Sequence, residues 1–268
     1  MFEHLARRLR AYAEKDGRGY PDWALRYVPI VRRLERHGVT SKTLLEIGAN
    51  ANGVARFLKQ HPACIISLDM SLDSLREARA AQQILPVMAD AAALPFRDKD
   101  VDVCVCIDTL EHLPQEKRRD ACMEIVRVLA ESGWGVVAFP CGAHAIEAER
   151  RMQEAYHQYT DSVIYWLKEH ADMGLPDAEE AVRTLTEASR GAFRITLEKN
   201  TPVIVWNWIW RVLMCGWPGR GNAVFQALLR LLTPLLCRMH FGRCYRVIVW
   251  IEPTLPPRRT RSFIHSSS

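Results

Sequence analysis

Between residues 42 and 140, short apolar runs alternate with amphipathic helical runs, and the apolar runs end at glycine or aspartate. Residues 43–47 stop at Gly48, residues 63–68 at Asp69, residues 86–89 at Asp90 and residues 101–107 at Asp108. Helical spacing follows at 54–60, 71–83 and 117–129, and a fifth apolar run covers 135–139. The 101–107 run is nearly continuous in apolar residues, the mark of a strand covered on both faces. Strand–helix alternation of this kind requires a parallel sheet with crossover helices. An α/β fold is therefore expected.

The flanks divide the rest of the chain. Residues 1–40 form a helical lead-in broken near 16–21, residues 41–142 the sheet core, and residues 143–191 a polar helical insertion or lid. Residues 192–256 hold two further strands, at 193–197 and 244–251, around an apolar, tryptophan- and arginine-rich insertion at 202–241; residues 257–268 are a tail. From Thr201 to Arg261 the sole acid is Glu252, against nine arginines, so an anionic partner suits this end. The eight cysteines show no C-x-x-C pair, which argues against a zinc or redox motif and for a reducing, cytoplasmic setting. The N-terminus lacks a signal-peptide core, and no apolar stretch reaches the roughly 18 residues of a membrane span.

The chemistry gathers where strands end. Leu45-Glu46-Ile47-Gly48-Ala49-Asn50-Ala51-Asn52-Gly53 runs from a strand into a helical segment, where free backbone N–H groups face a ligand and glycine admits it closely. Asp69 lies roughly 20 residues further on, at the end of the next strand, where a carboxylate accepts from both hydroxyls of a ribose. Asp90 and Asp108 follow the third and fourth strands, so three acids and a glycine turn share the carboxyl edge, where open α/β sheets bind ligands.

Together these blocks resemble the class I S-adenosylmethionine-dependent methyltransferases, in their type 11-like form. Leu45-Glu46-Ile47-Gly48 resembles the family's glycine motif, and Leu68-Asp69-Met70-Ser71 its ribose-binding turn. Ala89-Asp90-Ala91-Ala92-Ala93-Leu94-Pro95-Phe96 resembles the segment beside the adenine, and residues 102–114 the fourth strand and the turn beside the methionine moiety. The resemblance implies a Rossmann-like class I methyltransferase sheet with helical insertions, S-adenosyl-L-methionine as cofactor, and a cofactor site of Glu46, Gly48, Asp69, Met70, Asp90, Ala91 and Asp108. The chain departs from the family at Asn50, where a second glycine is usual. Asparagine tolerates left-handed backbone better than most residues.

Methyl transfer from a sulfonium rests largely on positioning, with a base needed only for a poorly ionised acceptor. His112 is the titratable candidate; the alternative is that it only holds its turn. Asp108, Glu111 and His112 also resemble a D/E-x-x-E-H metal cluster found in some relatives, including ubiquinone-type O-methyltransferases, but three adjacent ligands are too little to assign a metal. In the insertion, His144, His157, His170, Tyr156, Tyr159, Tyr165 and Trp166 either line an acceptor pocket or pack on the sheet, and packing is the plainer expectation. The turn after the fourth strand lacks the Asn/Asp-Pro-Pro-aromatic motif, and no Pro-Cys pair stands in that turn; the Pro-Cys pair of the chain, Pro140-Cys141, follows the fifth apolar run. A small-molecule, glycan or lipid-linked acceptor, methylated on oxygen, is expected rather than nucleic acid. Tryptophan and arginine in 202–241 suit an anionic membrane surface, with substrate-side packing or a dimer interface as alternatives. A non-catalytic binding or assembly protein and an RNA methyltransferase are the competing functions.

Overall fold

A computed structural model describes residues 8, 11–12, 19–49, 53–81, 84–214 and 223–254. Asn50, Trp217 and the tail fall outside the described residues. Helix α1 (Tyr20–His37) starts with Pro21 and Asp22 in its first turn and ends with Arg36 and His37, a distribution that complements the helix dipole. It buries Ala24, Leu25, Tyr27, Ile30, Val31 and Leu34.

Strands β1 (Thr43–Ile47), β2 (Cys64–Asp69), β3 (Ile84–Met88), β4 (Val101–Ile107) and β5 (Leu129–Pro140) are mutually parallel, with α2 (Leu72–Ala81) and α3 (Gln115–Val128) among the connections. Three helices follow, α4 (Gly142–Thr160), α5 (Tyr165–Met173) and α6 (Ala178–Ser189), then β6 (Phe193–Pro202), α7 (Val203–Leu213), α8 (Ala223–Leu236) and β7 (Cys244–Pro253). The seven-stranded order is β3-β2-β1-β4-β5-β7-β6, with β7 antiparallel to both neighbours.

Alternate residues of each strand face opposite sides. Leu45, Ile47, Cys104 and Cys106 pack with Ile125 of α3 on one side, while Leu44, Val103 and Val105 pack with Ile30 and Leu34 of α1 on the other. This double cover explains the unbroken apolar reading of β4. The helix expected over 54–60 is instead a single 3-10 turn, Val54–Phe57. Leu58 is already extended, and His61 precedes Pro62, a position that disfavours helical backbone.

The antiparallel β7 has a consequence for the site. Its first residues lie at the carboxyl edge of the parallel strands, with Arg246 opposite Pro140 at the end of β5. A late segment thereby reaches the edge where β1, β2 and β4 end.

Candidate active site

The carboxyl edge opens into a cavity of about 510 Å³ that Gly48, Asp69, Met70, Ala91, Asp108 and His112 help to line. That volume lies in the range of small-ligand sites. Its two ends differ in chemistry.

At one end the wall is backbone and short polar tips. Gly48 has φ +69°, and a Cβ there would sit 2.2 Å from Thr109 Oγ1. Only glycine allows the turn and the close packing together. Gly48 N–H donates to the Leu68 carbonyl at 2.7 Å, tying the turn to β2. Asp69 holds the Ser71 N–H through Oδ1 at 2.8 Å; its other oxygen bonds no described protein group.

Glu46 sits beneath this turn, not in the cavity wall. Its Oε1 accepts from Val54 N–H at 2.6 Å, and a Cβ on Gly53 would approach Oε2 to 2.3 Å. Gly53 is thus the glycine that lets this carboxyl brace the loop. Burial pushes the Glu46 carboxyl up to about 8, against the opposing pull of the Val54 and Ala55 N–H groups. Asp90 also bonds away from the cavity: Oδ2 pairs with Lys117 Nζ at 2.6 Å, and Oδ1 accepts from Ala92 N–H at 3.0 Å. The Lys117 hydrogen bond holds its carboxyl below the usual range.

At the other end, long side chains from distant segments meet. Asp108, with φ +49° just past β4, accepts a fork from Arg246 at 2.7 and 2.5 Å, and Arg26 Nη1 approaches at 2.9 Å. Burial works to raise the Asp108 carboxyl, but the two guanidinium groups win and hold it below its ordinary value. Arg26 also pairs with Asp22, which accepts from the Trp210 indole.

Beside this clamp stand two imidazoles. His112 Nδ1 lies 2.9 Å from Glu169, and His170 Nδ1 lies 2.9 Å from Glu149, whose same oxygen accepts from the Tyr245 hydroxyl at 2.5 Å. A carboxylate accepts, so each Nδ1 is the donor in its pair. His170 is 3% exposed, lines the cavity, and its Nε2 makes no hydrogen bond. Burial and then the neighbouring His170 lower the His112 pKa, outweighing the opposite effect of Glu169. Glu111, 1% exposed, has an unpartnered Oε2, and burial followed by Asp108 drives its carboxyl well above the usual range. Glu111, His112 and His170 offer ligand atoms within 4.8 Å of one another, the donor set a divalent cation would need. Asp108 is not in that set, because its oxygens are taken by arginine.

The residues expected from sequence therefore separate. Gly48, Asp69, Met70, Ala91, Asp108 and His112 converge on the cavity, while Glu46 and Asp90 support the segments around it. Of the insertion residues, Trp166 and His170 reach the cavity and His144 and His157 are exposed. Sequence reasoning missed Arg26, Glu149, Tyr245 and Arg246. Arg246 left one signal: a lone charge inside an apolar strand needs a buried partner.

Residues 45–137 match the model of the methyltransferase domain family. Over these residues the chain is similar to a methyltransferase domain. A protein of Encephalitozoon cuniculi that bears a methyltransferase name is 26% identical over 103 residues, which are 38% of this chain and 49% of that protein. The chain thus matches about half the length of that relative. A geranyl diphosphate methyltransferase solved with S-adenosylmethionine shares the fold, with TM-score 0.54, 16% identity, and 84% of each chain covered. So does a Haloferax volcanii complex of the Trm112 methyltransferase activator with a methyltransferase, at TM-score 0.54, 14% identity, and 91% and 97% covered. The glycine turn and the half-anchored Asp69 are the parts of this domain that fit an adenosyl cofactor.

Proposed function

We propose that the chain transfers a methyl group from S-adenosylmethionine to the oxygen of a small-molecule, glycan or lipid-linked hydroxyl acceptor. The observation that carries this reading is His170: a buried imidazole in the wall of the cavity that Gly48 and Asp69 also line, oriented through Nδ1 by Glu149 and with its Nε2 unpartnered among the described residues. Gly48 and Asp69 would hold the adenosyl end, and the cofactor supplies an electrophilic methyl group when bound. His170 Nε2 takes the hydroxyl proton as the acceptor oxygen attacks. Glu149, steadied by Tyr245, stabilises the imidazolium that results. His112 stands beside it, with ring centroids 4.9 Å apart, and shapes the same wall. Trp166 closes the acceptor side with an apolar face.

The setting we propose is cytoplasmic and peripheral to an anionic membrane, which brings a lipid-linked acceptor within reach. Trp206 and Trp210 do not support this, since they pack with Tyr245 inside the molecule. Its support is α8, which turns Leu228, Leu231 and Leu235 outward. No helix among the described residues is long and apolar enough to cross a membrane.

The test is incubation with methyl-labelled S-adenosylmethionine and a panel of phenols, sugars, lipid-linked hydroxyl compounds and matching amines. Label on oxygen, at a rate that rises as an imidazole deprotonates, supports the reading. Transfer to amines alone, or none with any acceptor, overturns it.

A further inference from the structure

A second cavity, of about 680 Å³, lies between the later half of α1 and the residues just past α8. Arg32, Arg33 and Arg36 enter it from α1, and Arg238 and His240 from the other side. Its one acid, Glu198, is engaged by Arg33 and by the Trp250 indole N–H. Arg33 also meets Glu252 and stacks 4.3 Å over Trp250, so it is fully committed. The guanidinium groups of Arg32 and Arg238 have no hydrogen bond or ion pair among the described residues, and Arg36 donates only to the Arg32 carbonyl. Three cations thus face a shared hollow with no carboxylate left to neutralise them. Such a hollow fits a phosphate group, which accepts from several guanidinium donors at once.

What adjoins the hollow suggests where the phosphate comes from. Leu228, Leu231 and Leu235 of α8 are 42%, 63% and 60% exposed. They follow spacings of three and four, so they form one stripe, and the next step of three is Arg238. The opposite face of α8, with Leu229 and Leu236, packs with Ala24 and Leu25 of α1. α8 has no acidic residue. A leucine stripe that ends at unpaired arginines matches the layering of an anionic bilayer surface, acyl chains below and phosphates above. A water-soluble anion would account for the arginines but not for the leucines.

We propose that this hollow binds the phosphate of an anionic phospholipid headgroup, with the α8 stripe seated in the acyl boundary. The proposal deepens the membrane half of the functional reading and rests on it. Helix α1 connects the two sites: Arg26 lines the methyl-transfer cavity and Arg36 the headgroup hollow, about 15 Å apart along the helix at about 1.5 Å per residue. A lipid-borne hydroxyl held at one end is therefore within a short reach of the other.

The experiment is co-sedimentation of the full chain with vesicles of phosphatidylcholine alone and of phosphatidylcholine mixed with phosphatidylserine. The wild type should partition onto the mixed vesicles and only weakly onto neutral ones. Arg32→Ser with Arg238→Ser should weaken partitioning about 25-fold, about fivefold per arginine. Leu231→Ser with Leu235→Ser should abolish it. Unchanged affinity of both variants for S-adenosylhomocysteine shows that they fold. If wild type and arginine variant bind mixed vesicles equally, or the wild type ignores lipid charge, the headgroup site is wrong while membrane docking stands. If the wild type binds no vesicle, docking itself is wrong. A concentration-dependent dimer lost in the leucine variant would instead give the stripe to a second copy of the chain.

Discussion

The two ends of the cavity at the carboxyl edge are built by different means. The glycine end is made of backbone: Gly48 leaves β1 with a left-handed φ, Asp69 caps β2, and each is set by the strand it terminates. The histidine end is made of side chains from α1, α4, α5 and β7, held by Asp108–Arg246, Asp108–Arg26, His170–Glu149 and Tyr245–Glu149 contacts. Parallel strand ends supply fixed donors and acceptors at little entropic cost, which suits a cofactor of constant shape. Long side chains can be exchanged without disturbing the sheet, which suits an acceptor that varies between enzymes. Their drawback is electrostatic, because several charges are buried and each depends on its partner.

The largest expected effect separates the ends by chemistry. His170→Gln should lower kcat on a hydroxyl acceptor by about 10²- to 10⁴-fold, the usual weight of a positioned base, and remove the imidazole limb of the pH–rate profile. Retained rate with that limb intact would move the proton transfer elsewhere, with His112 the next residue to test.

Next comes the cost of the buried clamp. Asp108→Ala leaves Arg246, 1% exposed, without its counter-charge. A loss of about 3 to 5 kcal/mol in urea unfolding is expected. A neutral result would mean that Arg26 and Arg246 re-pair with other acids, and that the clamp is not what ties β7 to the turn after β4.

A pH-dependent effect, smaller per pH unit, belongs to the glycine end. With its carboxyl raised to about 8 by burial, folded Glu46 keeps a proton that the unfolded chain has already lost. Stability should therefore fall as pH rises through the window from about 5 to 8, at about 1.4 kcal/mol per unit from this group. Glu46→Gln, neutral and still able to accept from Val54 N–H, should flatten that slope. Parallel slopes in urea melts of the two proteins would contradict the assignment.

The same contrast explains how much the sequence could tell. β1 to β5 and the residues at their ends were legible because strand period, glycine and aspartate are local signals. The Glu46 brace was hidden, since Gly53 announces a turn but not the carboxyl packed against it. The 54–60 segment misled because its apolar spacing is helical, while Pro62 and the extended Leu58 stop it after one turn. At the histidine end nothing local joins Glu149 to His170, 21 residues away on another helix, or Arg26 to Asp108. The tryptophans of α7 suggested an interface by type alone, whereas Trp206 and Trp210 pack against α4, α5 and Tyr245. Only the topology, with β7 antiparallel between β5 and β6, brings those pieces together.

One calorimetric series tests the division most directly: S-adenosylhomocysteine titrated into wild type, Asp69→Ala and His170→Gln. The expected result is binding by the wild type, a loss of about 1 to 3 kcal/mol for Asp69→Ala through its missing charged hydrogen bonds, and unchanged affinity for His170→Gln. No binding by the wild type, or an equal loss in both variants, would contradict a cofactor end and an acceptor end within one cavity.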